Sequence, residues 1–171
     1  AHSAKALTPV SPTPSANGKT FVMFSDDLDK ALATFVLANG AAATGKPVTI
    51  FFTFWGLNVI KKEQKPRVAK DFFGAMFDKM LPANSRQLGL SKLNMGGMGA
   101  RMMRLIMRRK HIDSLETLRQ QALDAGVQFI ACQMSMDVMG VRREELLDEV
   151  TLGGVATYME RAENANVNLF I

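Results

Sequence analysis

The sequence predicts an α/β fold, doubly wound around a mostly parallel sheet of four or five strands, and three observations carry that prediction. Short runs of β-branched and aromatic residues alternate along the chain with stretches of helical periodicity. The first of these alternations, Lys19 to Phe54, reads as a complete βαβ unit, which places its two strands parallel in one sheet. A chain of 171 residues with 47% hydrophobic content is also large enough to bury one core without disulfides or a structural metal.

Taken in order, Lys19–Ser25 is the first strand, and Asp26, Asp27 and Asp29 supply caps and first-turn acids for a helix running through Ala42. Gly45 and Pro47 end that helix, and Val48–Phe54 is the second strand. The pattern then changes. Val68–Leu81 is expected to be helical, Pro82–Asn84 breaks it, and Leu93–Gly99 leads into another helix ending near Lys110, so that residues 61–110 read as a helical, basic, Met-rich insertion in the crossover. A shorter helix starts at Asp113–Glu116 and closes at Gly126 before a strand over Val127–Cys132. Val150–Gly154 is a brief extended piece, Val155–Ala165 a helix and Asn166–Ile171 the last strand.

Composition excludes several chemistries. The two histidines, His2 and His111, are too few for a histidine zinc site or a nucleophile–histidine pair. Residues 1–18 hold three prolines and no apolar core, which marks them as a disordered leader or cloning remnant outside the domain at 19–171. The longest apolar stretch, Pro47–Ile60, is interrupted by Thr49, Thr53 and Asn58 and falls short of the ~20 residues a membrane span needs. Charge is unevenly distributed. Residues 61–110 carry thirteen Lys and Arg against Glu63, Asp71 and Asp78, a net of +10 that leaves −5 for the rest of a chain whose total is +5. Such a region is either a solvated face or a surface for an acidic protein or an anionic membrane. Nucleic acid is not expected, because no recognised motif is present and the single Trp and Tyr lie outside the basic run.

The only cysteine, Cys132, stands where the strand Val127–Cys132 runs out into the turn Gln133–Met139. In open α/β sheets ligands bind beyond the carboxyl ends of the strands, where amides of the next helix favour a thiolate; Cys is equally a common core residue. A lone thiol has no internal partner, so its oxidation leads to a persulfide, a sulfenic acid or a bond to another molecule. Free amides at Gln133–Met136 and the cations Arg142 and Arg143 are candidates for stabilising the anion, with Asp137 an opposing charge or a cap. Trp55, after the second strand, and Met134, Ser135 and Met136, after the thiol, are candidate pocket residues; core packing is the plainer role for Trp55. The methionines near Cys132 and in 95–107 are core filler, a flexible docking surface or soft ligands for Cu(I). Arg101, Arg104 and Arg108 recur at i, i+3 and i+7 beside a face of Met98, Met102, Leu105 and Ile106, a basic amphipathic helix that packs on its own sheet or docks elsewhere. Gly96, Gly97 and Gly99 are no dinucleotide fingerprint, because they do not follow the first strand.

Five stretches, Ser25–Ala31, Val48–Leu57, Leu90–Gly99, Ala131–Gly140 and Leu169–Ile171, resemble the DsrE/DsrF-like family, and within it the DsrE2 type of sulfur carrier. The resemblance extends over residues 19–171. It implies a Rossmann-like, self-associating subunit in the cytoplasm, with no organic cofactor, whose cysteine accepts sulfane sulfur from a donor protein and passes it to an acceptor protein. That cysteine is Cys132 here. Related proteins are sometimes labelled peroxiredoxin-like, yet this chain lacks the Thr-x-x-Cys context of a peroxidatic site. The alternative reading is an interaction or membrane-tethering protein that works through 61–110, with Cys132 structural.

Overall fold

A computed structural model of the protein describes residues 17–171. The expected leader lies outside the described residues up to residue 16; Gly18, assigned to it from sequence, is instead the first residue of the sheet. Five strands, β1 (Gly18–Met23), β2 (Val48–Phe52), β3 (Gln128–Cys132), β4 (Thr151–Gly153) and β5 (Ala165–Phe170), form one sheet in the order β4-β3-β2-β1-β5. Every pairing is parallel. The sheet therefore has the upper of the two expected strand counts, and it is wholly rather than mostly parallel.

The chain steps outward from β1 to β4 and then returns past β1 to add β5, so successive crossovers load both faces of the sheet. Helix α1 (Leu28–Ala43) and helix α4 (Leu115–Asp124) pack against each other over the first face. There Phe21, Met23, Ile50, Phe52, Phe129 and Ala131 meet Leu28, Ala31, Phe35, Ala38 and Ala122 in the main core. Alanines on α1 let the helix approach closely, and Phe35 inserts between Phe52 and Phe129 at centroid distances of 6.4 and 5.7 Å. The second face is thinner. Its core is Val22, Phe51, Ile130 and Cys132, covered by Tyr158 from helix α6 (Val155–Glu163), which buries none of its residues fully.

Residues 61–110 sit against the carboxyl edge on the first face. The helix expected from Val68 starts later, as α2 (Phe72–Met80), because Asp71 caps it by accepting the Gly74 amide at 2.8 Å and Lys70 is drawn inward. The Lys70 ammonium is 2.8 Å from Asp78 and 2.9 Å from Glu145, a nearly dry bridge that ties the insertion to the segment after β3. Gly74 also abuts Gly140: a Cβ on Gly140 would come within 2.5 Å of the Gly74 Cα. Gly140, at φ 64°, ends helix α5 (Gln133–Met139) in the left-handed conformation. Helix α3 (Met98–Arg109) follows a turn through Gly96 and Gly97, both at positive φ.

Beneath this region Lys61 is 3% exposed and donates to the Pro82 carbonyl at 3.2 Å. Burial, partly offset by Glu145, pushes its amine down to about 8 from an ordinary 10.5. Between those values the unfolded chain holds a proton that the folded chain has lost, so stability rises with pH across that window. Urea titrations of the wild type should therefore show a midpoint that climbs from pH 8 to 10, and Lys61→Met should flatten that climb. Gly140→Ala should destabilise the fold by about 1–3 kcal/mol, from the left-handed backbone and the crowding at Gly74, read as a lower urea midpoint at unchanged slope.

Candidate functional site

Alternation along β3 decides where the thiol points. Phe129 and Ala131 face the main core, so Ile130 and Cys132 face the thinner second side. Cys132 is the last residue of β3 and the N-cap of α5, and it lies in register with Gly153, which is followed by Gly154, the N-cap of α6. The sulfur-bearing residue thus sits where two helices begin, and their first-turn amides have no intrahelical acceptor. Gly153 is needed at this point, since a Cβ there would be 2.9 Å from the Ile130 side chain.

Cys132 lies at the bottom of an open cleft of about 470 Å³. Val22, Phe51 and Thr53 form the floor with it, Phe24, Phe54 and Phe170 one wall, and Met134, Val155, Tyr158 and Met159 the other. Phe24 holds the first wall together, with its ring 5.5 Å from Phe54 and 5.6 Å from Phe170. Tyr158 stacks on Phe51 at 5.2 Å. Cys132 itself is 1% exposed, so a reactant must travel down the cleft to meet it. No lining residue carries a charge.

The sequence-predicted neighbours separate. Met134 lines the cleft and is half exposed. Ser135 instead points inward, its hydroxyl 2.7 Å from that of Thr53, a buried bond that fixes α5 to the end of β2. Met136 packs into the main core on the other face. Trp55 lies outside the cleft lining and is 41% exposed. The cause is the turn after β2: Phe54 adopts φ 47° and the Gly56 amide bonds the Phe24 carbonyl, so alternation breaks and Phe54 takes the place expected of Trp55. Backbone proximity at Gly56 holds the turn, because a Cβ there would be 2.0 Å from the Met23 carbonyl oxygen.

The expected cations are also elsewhere. Arg143 donates to the carbonyls of Leu147, Asp148 and Val150 at 2.9–3.0 Å and braces that loop. Arg142 and Asp137 line a separate small cleft with Lys70, on the α2 side of α5. The stripe Arg101, Arg104 and Arg108 is interrupted: Arg101 and Arg108 are exposed, whereas Arg104 turns in and donates to the Ser85 and Leu88 carbonyls at 3.2 and 3.3 Å. Desolvation lowers the pKa of the Arg104 guanidinium from its ordinary value. Among the described residues, no three of His, Cys, Asp and Glu gather as a metal site. The residues that sequence reasoning did not assign to the site include Phe24, Phe54, Tyr158, Met159 and Phe170; Phe54 and Phe170 fall in stretches that carry the family resemblance, and Tyr158 is the only tyrosine of the chain.

Three comparisons bear on this geometry. Among curated proteins, the chain is 46% identical over 152 residues to the uncharacterized protein YrkE of Bacillus subtilis, covering 89% of this chain and 95% of that one. It is 37% identical over 149 residues to the sulfur carrier protein DsrE2 of Allochromatium vinosum, covering 84% and 91%. Among solved structures, the ychN protein of E. coli matches with a TM-score of 0.57 at 11% identity, over 91% of this chain and 99% of that one. A protein of unknown function, MTH1491 of Methanobacterium thermoautotrophicum, matches with a TM-score of 0.50 at 13% identity and the same coverage. These two likenesses concern the fold. The model of the DsrE/DsrF/DrsH-like family matches residues 16–170, from the first strand through the cysteine cleft to the last, and the chain belongs to that family.

Proposed function

We propose that the protein is a sulfur carrier of the cytoplasm, in which Cys132 accepts sulfane sulfur as a persulfide from a donor protein and hands it to an acceptor protein. The observation that carries this reading is the position of the lone thiol, at the bottom of an open cleft and at the start of α5. The likeness to a named sulfur carrier over 84% of the chain supports it. Loading is a balanced exchange. The Cys132 thiolate attacks the outer sulfur of a donor persulfide, the new S–S bond forms on Cys132 as the donor's S–S bond breaks, and the donor leaves as a thiolate. Delivery is the same exchange with the acceptor thiolate attacking, and no external oxidant or reductant is needed. A chain with one cysteine has no second thiol that would discharge the persulfide internally.

The cleft constrains what can arrive. Charged groups are costly to strip of water against an uncharged, largely apolar lining, so the site favours sulfur that arrives as a neutral or singly charged terminus over a free dianion such as thiosulfate. Depth matters too, because a partner must extend its own cysteine into the cleft to reach a residue that is 1% exposed. The same depth favours the second reading, in which Cys132 is a packed core residue of a protein that works through 61–110. Loading separates the two. After incubation with cysteine persulfide, intact-mass spectrometry should show one or more added sulfur atoms on the wild type and none on Cys132→Ser, whereas thiosulfate alone should add nothing. Equal labelling of both proteins would contradict the carrier reading.

The thin second face supports a proposal of self-association. Wholly parallel sheets are covered on both sides, yet here one helix serves five strands and leaves Met134, Val155, Met159, Leu169 and Phe170 between 41 and 71% exposed around the cleft. A second copy seated on this rim would complete the cover and narrow the entrance to Cys132. Light scattering at micromolar concentration should report a mass above the 18.8 kDa monomer. The pair Met159→Glu and Phe170→Glu, both exposed, should shift it to the monomer while an unchanged circular dichroism spectrum shows that the variant remains folded; a monomeric wild type would contradict this.

A further inference from the structure

We propose that the outward face of α3, with the loop before it, is a docking surface for an anionic lipid membrane. The inference is independent of the cysteine and starts from how α3 packs. The apolar side expected to seal the helix onto the body is turned to solvent: Met98 is 64% exposed, Met102 57%, Leu105 42% and Ile106 45%. What packs inward is instead Gly99, Ala100 and Met107. Small residues suffice there because the backbone comes close; a Cβ on Gly99 would lie 2.0 Å from the Leu93 carbonyl oxygen. The loop extends the same apolar surface through Leu93 and Met95, 79 and 60% exposed, both held at positive φ.

Cations accompany this apolar strip. Lys92, Arg101, Arg108, Arg109 and Lys110 are all exposed, and residues 91–112 contain no Asp or Glu. Among the described residues, no ion pair involves any of the five. An amphipathic helix with exposed Met and Leu and a fringe of free arginines is the composition that lies in a lipid interface, its apolar side at the headgroup boundary and its cations among anionic headgroups. A second copy fits this surface poorly, because a twofold contact would set the same five cations against each other. An acidic protein would satisfy the charge, but the groove beside α3 is lined by Arg104, Met107 and Arg108 and not by Met98, Met102, Leu105 or Ile106, so a protein seated in it would leave the apolar strip bare, whereas a lipid surface covers it. The cysteine cleft lies on the other face of the sheet and shares no lining residue with α3, so docking would leave its mouth free for a partner.

Sedimentation of the full chain with vesicles of phosphatidylglycerol or of phosphatidylcholine tests the proposal. Binding is expected to phosphatidylglycerol and to weaken with salt, because the cations are exposed and screened over about 10 Å at 0.1 M. Each cation lost should lower partitioning about fivefold, so Arg101→Gln with Arg108→Gln should lower it more than tenfold. Met102→Gln with Leu105→Gln should weaken binding at all salt concentrations. These four positions are exposed, and an unchanged circular dichroism spectrum will show that the variants remain folded. No preference for phosphatidylglycerol, or binding by either variant equal to that of the wild type, would overturn the proposal. So would loss of an oligomer in the Met102→Gln, Leu105→Gln variant without vesicle binding by the wild type, which would assign the face to self-association.

Discussion

Everything at the candidate site depends on the sheet being parallel throughout. Five strands that run the same way deliver all their carboxyl ends to one edge, and each chain reversal there begins or precedes a helix. Two helix starts, those of α5 and α6, therefore converge on Cys132 through nothing more than strand register: Cys132 pairs with Gly153, and both strands end at that pair. A parallel sheet also needs cover on both faces. One face receives α1, α4, α5 and most of the insertion, while the other receives α6 alone. The cleft is the part of the second face that α6 leaves bare.

Charge and sulfur are kept apart by this arrangement. The basic insertion folds onto the well-covered face, fixed by Lys70 between Asp78 and Glu145 and by the contact of Gly74 with Gly140. The buried side chain of Lys61 sits within the same charged group, where loss of water outweighs the nearby carboxylate. The cleft, by contrast, is walled with Phe, Met and Tyr. Arg142 and Arg143 stay away from it, since one lines a separate cleft and the other is occupied by loop carbonyls. The proposed carrier chemistry suits such a site, since persulfide exchange asks for a nucleophile and an accessible path and moves no net charge into the protein.

Sequence periodicity carried the sheet well, because β1, β2 and β3 are nearly continuous apolar runs buried on both sides and such runs are distinctive. The three-residue β4 was read as a brief extended piece over Val150–Gly154, and its Gly153 matters through the close approach of Ile130. Cys132 was legible as a strand-end thiol. Its pocket was not, because the walls come from five separated segments and pairing between them is a property of the fold. Trp55 failed as a pocket residue for a local reason: one residue with positive φ, Phe54, undoes the alternation on which the expectation rested. For α3 the periodicity was read correctly and the direction was not, since a helix that packs through Gly99 and Ala100 can turn its larger apolar side chains outward.

The central claim is that Cys132, though almost wholly covered, is reachable in the folded protein. Alkylation by a small uncharged thiol reagent, followed under native conditions at neutral pH, tests it against the rate of global unfolding measured in the same buffer. The account predicts modification faster than unfolding, with the rate falling as the reagent is made bulkier or given negative charge. Modification that proceeds only at the unfolding rate, whatever the reagent, would show that Cys132 is sealed in the core and would contradict it.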